Sequence, residues 1–259
     1  MSSLGDTKSI EKVGENSVKK LVEKNGQNDS LERIVDVMRE NQKFLLDDSE
    51  PGKTKSVSRE VLRLIADMNR YVNYFMEGGE FPQRYANSCI RPYVFLILRP
   101  FSYAMFTDLL ASNVVACFME LRLMVESLVK FYYADMKYPN KLSFTDKIRM
   151  LEGEMQDSDK SMSELMEECG WEKEVKGVRF LWKQLSKGWL HTKGIVERIV
   201  GEVTSKSGIP AWLGGYRAYT DVDLGVLNDL RKTLAVFRSV QSKVIENWKD
   251  LPQNQSSRS

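Results

Sequence analysis

The spacing of apolar positions along the chain predicts helices throughout and no strands. The clearest stripes run through Val57–Glu77 and through the last apolar segment, which ends at Trp248, where large apolar side chains recur mostly every three or four positions. No segment alternates convincingly between apolar and polar residues, and no Asn-Gly pair lies between two apolar runs. The pattern therefore predicts an all-α protein, a multi-helix bundle with short connections.

Capping and stop signals place the ends of these helices. Asp29 is a suitable N-cap for a first helix, Gly78-Gly79 ends the second, and the Ser161-Glu164 and Thr220-Asp223 pairs are typical of helix starts. Further helices are predicted at about 143–155, 173–187 and 190–206.

The most apolar part of the chain lies in its middle. Tyr93–Leu98 is compatible with a strand or a buried helix, and Arg99-Pro100 should break it. Phe101–Asp135 predicts one long helix, or two with a kink near Ser112-Asn113, at the centre of the bundle because it is apolar on more than one face. The longest run without charges, Leu109–Met119, is too short to span a bilayer, so we expect no membrane association.

The ends of the chain are polar, and this bears on domain organisation. Residues 1–28 should be flexible and carry no secretory signal, residues 29–251 should form one helical domain, and residues 252–259 should be a disordered tail. The three cysteines are scattered, which favours a reducing, cytoplasmic location over a disulfide framework.

Charge and motif content argue against several function classes. The chain carries 38 basic and 36 acidic side chains, a net charge of +2, so a large basic surface for nucleic acid is not indicated. It has neither a GxxxxGK[ST] loop nor a GxGxxG turn. With a single histidine and dispersed cysteines, we expect no metal and no cofactor.

One charged row interrupts the apolar central helix. Arg122, Glu126 and Lys130 are spaced by four residues, so they share one helix face. The favoured interpretation is an ion-pair ladder on the surface, since charge runs are usually solvated. The alternative is a polar network inside the bundle that holds a ligand.

A second cluster surrounds the only histidine. His191 is the one side chain whose ordinary pKa lies near neutrality, so it is the natural candidate for acid–base chemistry. Lys187 and Lys193 could hold a phosphate beside it, and Ser186 could donate a hydrogen bond. The favoured interpretation is again structural, a histidine that stabilises a helix junction.

Together these clusters resemble a known family. Arg-x-x-x-Glu-Ser on a helix with a tyrosine shortly after, then Leu-Ser-x-x-x-x-His before another helix, is similar to HEPN-like prokaryotic helical domains, over roughly residues 108–247. The matching residues are Arg122, Glu126, Ser127, Tyr133, Leu185, Ser186 and His191. The resemblance implies an α-helical bundle, often dimeric, and many members are metal-independent ribonucleases of defence or toxin systems.

The leading functional expectation is a non-enzymatic module that binds itself or a partner protein. In active HEPN-like members an arginine stands shortly before the histidine, whereas here the basic residue in that interval is Lys187, which cannot grip a phosphate with two parallel hydrogen bonds. The main alternative is a metal-independent ribonuclease, with His191 as acid–base group and Lys187, Arg122 and Glu126 around it.

A third alternative is DNA or RNA binding without cleavage. It would use the lysine-rich N-terminal region, with Lys19, Lys20, Lys53 and Lys55 as phosphate contacts.

Overall fold

The computed structural model describes residues 30–46, 55–76, 85–157, 161–170, 176–190 and 216–251. All regular structure within these ranges is helical and none of it is a strand, so the predicted all-α bundle is confirmed. The terminal segments 1–28 and 252–259, and residues 191–206 of the helix predicted at 190–206, lie outside the described residues.

Eight helices make up the described part of the chain. They are α1 (residues 30–46), α2 (Lys55–Phe75), α3 (Ile90–Leu110), α4 (Val114–Lys137), α5 (Phe144–Asp157), α6 (Met162–Glu168), α7 (Lys176–Leu185) and α8 (Leu224–Lys249). A π-helical turn, Ser186–Leu190, directly continues α7, and a 3-10 turn, Asp221–Asp223, precedes α8.

Helix α4 is the centre of the bundle. It packs against α3, α5, α6, α7 and α8, while α8 also packs against α2 and α7. This explains why α4 is apolar on several faces. The stripe predicted for the last helix is confirmed as core, since all of its members are fully buried: Leu227, Leu230, Leu234, Phe237, Val244 and Trp248.

The predicted helix starts at Ser161 and Thr220 are confirmed as capping boxes. The Glu164 N–H donates to Ser161 Oγ at 3.3 Å, and the Ser161 N–H donates to Glu164 Oε2 at 2.6 Å. At the second start, the Thr220 N–H donates to Asp223 Oδ2 at 3.0 Å. Each pair satisfies backbone donors that the first helical turn leaves without partners.

The predicted break at Arg99-Pro100 is wrong, because α3 runs through both residues. Tyr93–Leu98 forms a π-helical turn, in which the Arg99 N–H donates to the Val94 carbonyl oxygen. This wider turn shifts the hydrogen-bond register just before Pro100, so the helix continues without the donor that proline lacks. The true break follows Leu110, at the turn around Ser112, close to the predicted kink.

Helix α1 contacts the bundle through its C-terminal half. Leu31 and Val35, in its N-terminal half, are exposed. The fully buried Asn41 side chain donates to the Leu110 carbonyl oxygen at 2.8 Å and accepts from the Tyr219 N–H at 2.7 Å. This one amide therefore connects α1 to the end of α3 and to the segment before α8.

A buried carboxylate connects four helices. Asp135 on α4 accepts hydrogen bonds from the Cys89 and Ile90 N–H groups at the start of α3, at 2.8 and 3.1 Å. It also accepts from the Trp248 indole on α8 at 2.9 Å and forms an ion pair with Lys147 on α5 at 2.9 Å. Because Lys147 is completely buried, we interpret this ion pair and the hydrogen bonds of Asp135 as part of the core structure.

Candidate functional site

The packing of α4 against α7 brings Arg122 to Ser186, 64 positions further along the chain. Arg122 Nη1 donates to Ser186 Oγ at 2.8 Å, and Ser186 Oγ donates to the Trp182 carbonyl oxygen at 2.6 Å. The Arg122 guanidinium carbon also lies 3.6 Å from the centroid of the Trp182 ring. One face of the cation is thus covered by an aromatic ring, an attractive arrangement where water is largely excluded.

The predicted charged row on α4 is present but only partly exposed. Glu126 lies 3.0 Å from Lys130 Nζ and 3.8 Å from Arg122 Nε, so Lys130 is its closer partner. Burial lowers the pKa of Arg122, and the charge of Glu126 acts in the opposite direction. Among the described residues, the buried Arg122 Nε has no hydrogen-bond acceptor, since Glu126 lies too far away for one.

The π-helical turn after α7 adds an aromatic contact to this site. Trp189 is buried and stacks on Phe118 of α4, with ring centroids 3.8 Å apart and planes 12° from parallel. Ser186 and Trp189, three positions apart on this turn, both contact α4. Single π-helical turns often mark functional sites, which makes the seam between α4 and α7 the candidate site.

The structure describes three of the four predicted catalytic residues. Arg122 and Glu126 lie side by side at the seam, and Lys187 is exposed on the π-helical turn beside Ser186. His191 lies outside the described residues, one position after that turn ends. Its role therefore stays a prediction.

Other predicted residues also lie outside the described part of the chain. These are Lys193 beside the histidine and the tail lysines Lys19, Lys20 and Lys53; the side chain of Lys55, at the first position of α2, belongs with them. Within the described ranges, no group of three or more histidine, cysteine, aspartate or glutamate side chains is arranged to hold a metal ion.

Sequence reasoning missed the aromatic part of the site. Trp182 and Trp189 flank Ser186 at four and three positions. The Trp182 ring lies against Arg122 and the Trp189 ring stacks on Phe118, and both contacts attach the end of α7 to α4. The available signal was the pair of tryptophans at the two ends of an eight-residue segment. Tryptophan is large and amphipathic, so such a pair indicates an anchored helix.

The length and composition of helix α3 bear on the expectation that no segment could span a bilayer. By length and composition alone, Ile90–Leu110 is apolar enough to do so, and 33% of its apolar window is buried. The core helix of a bundle meets the same criteria, and α3 packs on α2 and α4.

Comparison of the chain with family models, curated proteins and solved structures gave no match.

Proposed function

We propose that this chain is a helical interaction module that self-associates through an apolar face of α3 and α4. The observation that carries the proposal is the exposure of four large side chains on these adjoining helices: Leu96, Tyr103, Met119 and Leu123. Leu96 and Tyr103 are seven positions apart on α3, with the exposed Arg99 and Pro100 between them, and Met119 and Leu123 are one turn apart on α4.

A second copy of the chain is the partner that suits this face. Next to Met119 and Leu123 on α4, Glu126 is paired with Lys130, so these two charges offer little selection for a charged partner. A copy would present the same apolar face. Packing the α3–α4 hairpins together about a two-fold axis would bury both faces as a four-helix layer.

The burial of this face would contribute favourable free energy. Leu96 is 63% exposed, and removing apolar surface from water is worth roughly 25 cal/mol per Å². Large exposed apolar patches mark interaction sites in soluble proteins, so four exposed large side chains on two adjoining helices support an interface.

The test is the oligomeric state of the full chain and of two matched variants. Leu96→Glu places a charge in the face, while Phe180→Glu places one at an equally exposed residue, also 63%, on α7. We expect sedimentation equilibrium to give a dimer for the wild type and for Phe180→Glu, and a monomer for Leu96→Glu.

Three outcomes would overturn the proposal. The first is a wild type that stays monomeric at about 100 μM, a concentration about a hundredfold above the dissociation constant of a micromolar dimer. The second is equal disruption of the dimer by both variants. The third is flotation with phosphatidylcholine vesicles that Leu96→Glu abolishes. The last would assign the face to a lipid surface.

Metal-independent RNA cleavage is a second candidate function, with one observation in its favour. The contact between Arg122 and Ser186 unites two residues of the HEPN-like resemblance, and the turn carrying Ser186 ends immediately before His191. The test is incubation of the protein with single-stranded and structured RNA in EDTA, beside His191→Ala. Cleavage that is absent, or equal in both proteins, would eliminate this candidate.

A further inference from the structure

A groove of about 540 Å³ lies between α2 and α8, away from the α4–α7 seam. Its charged lining consists of four basic and two acidic side chains: Arg63, Arg70, Arg238, Lys243, Glu60 and Asp67. Four positive charges against two negative charges leave the groove with a net charge of +2. We call it the arginine groove.

The two signs of charge lie at different depths. The Glu60 and Asp67 side chains are 10% and 14% exposed, whereas those of Arg63 and Arg70 are 60% and 66% exposed. The carboxylates therefore form the floor and the two arginines form the rim. A ligand that enters from solvent meets the positive charge first.

Arg238 occupies the floor between the two carboxylates. Its Nη1 lies 2.8 Å from Glu60 Oε2, and its Nε lies 2.7 Å from Asp67 Oδ2. The other oxygen of each carboxylate holds a rim residue, Arg63 at 2.6 Å and Arg70 at 2.5 Å. Each carboxylate is thus shared by two arginines.

This sharing fixes the rim arginines without using up their donors. A guanidinium has five N–H donors in a rigid fork, so Arg63 and Arg70 keep donors that face solvent. Bridging by Arg238 alone already attaches α8 to α2. The ion pairs of Arg63 and Arg70 lie within α2, and an exposed ion pair adds only about 0–1 kcal/mol of stability. The rim arginines are therefore not needed to attach α8.

The chemistry of the groove matches a phosphate group. Guanidinium groups bind phosphate oxygens through paired hydrogen bonds, and the small polar residues Ser239 and Ser242 also line the groove. We propose that the arginine groove binds the phosphate of an anionic ligand, with Arg63, Arg70 and Lys243 as contacts, and with Glu60 and Asp67 holding the two rim arginines in place.

The test uses two phosphate sources and a matched pair of variants of the full chain. Inorganic pyrophosphate is titrated calorimetrically at low salt, and a fluorescein-labelled single-stranded RNA is titrated by anisotropy. The variant Arg63→Gln/Arg70→Gln changes the exposed rim. The control Arg59→Gln/Lys232→Gln removes the same charge from exposed positions on α2 and α8 that do not line the groove.

We expect the rim variant to weaken binding of at least one probe by about tenfold or more and the control to change it by less than about twofold. Sensitivity of pyrophosphate binding identifies a small phosphorylated ligand, and sensitivity of RNA binding alone identifies a nucleic-acid backbone. The proposal is overturned if neither probe binds, if both variants weaken binding equally, or if the rim variant binds like the wild type. Circular dichroism confirms that each variant is folded.

Discussion

The guanidinium of Arg122 lies over the ring of Trp182, with 3.6 Å between the guanidinium carbon and the ring centroid, and it donates to Ser186 four residues further on. One side chain of α4 thus contacts both ends of a helical turn at the C-terminus of α7. The Arg122 side chain is 22% exposed, and this partial burial lowers its pKa. Such a cation needs its partners, so its removal should loosen α7.

We expect Arg122→Ala to lower the free energy of unfolding by about 2 kcal/mol, through loss of a partly desolvated cation–π contact and a charged hydrogen bond. Arg122→Lys should recover part of this loss, since lysine keeps the charge without the planar fork. Urea unfolding followed by tryptophan fluorescence measures both. Lys130→Ala is the control on the same helix and should cost less than about 1 kcal/mol. Equal losses for Arg122→Ala and Lys130→Ala would contradict this account.

The buried pair of Asp135 and Lys147 supports a second prediction. Lys147→Met leaves the carboxylate without its cation and should cost about 3 kcal/mol or more, the typical result of breaking a buried pair. Asp135→Asn removes the negative charge and should be costly for the same reason. In a double-mutant cycle from urea unfolding, the two changes should be coupled by more than about 1 kcal/mol. Additive losses would show that the other hydrogen bonds of Asp135 are sufficient.

Local signals predicted much of the fold. Capping boxes at Ser161 and Thr220 placed two helix starts, because the residues that determine such a start are three positions apart. The apolar stripe of the last helix predicted its buried face, because the residues that define this face also lie only a few positions apart. The break predicted at Pro100 was wrong because the π-helical turn just before it removed the usual conflict between proline and a continuous helix. The spacing of residues in the sequence carries no sign of such a turn.

Long-range contacts were beyond the reach of these patterns. Helical spacing paired Arg122 with Glu126, yet the hydrogen bond of Arg122 is to Ser186, and Asp135 meets Trp248 113 positions away. Which faces of separate helices meet depends on packing of the whole bundle. The sequence therefore predicted the candidate site only as two clusters, and it did not determine the distance between them.

Glu120 on α4 should make stability depend on pH. Burial, and then the charge of Asp108 on α3 and a hydrogen bond with it, raise the pKa of Glu120 from 4.5 to about 8. The thiol of Cys117 also faces this pair, and its own pKa is raised by burial and by both carboxylates. No cation is among the groups that act on Glu120 in the described part of the chain.

The direction of the effect follows from proton binding. Between about pH 4.5 and 8 the folded chain holds a proton on Glu120 that the unfolded chain has lost, so this contribution to stability is complete below pH 4.5 and falls as pH rises through 8. Glu120→Gln keeps the shape without the charge and should flatten the decline. Urea unfolding of both proteins at pH 5 to 9 tests this. Parallel pH curves would show that Glu120 is ionised in the folded protein.

Two glycines offer a matched test of helix packing. A Cβ on Gly177 of α7 would lie 3.1 Å from Val236 Cγ1 and 3.3 Å from Val240 Cγ2 on α8, whereas a Cβ on Gly153 of α5 would meet nothing within 4 Å. We expect Gly153→Ala to stabilise by about 0.5–1 kcal/mol, because alanine is the better helix former.

Gly177→Ala should instead destabilise by about 1 kcal/mol, since α7 must move away from α8 to make room for the methyl group. Thermal unfolding should show the melting temperatures shifting in opposite directions, by about 2–4 °C per kcal/mol for a domain of this size. Because the same substitution is made twice, the difference between the two reports the closeness of α7 and α8 and not the propensity of alanine. Equal upward shifts would mean that α8 yields at Val236 without cost, and the close approach at Gly177 would then not constrain the attachment of α7.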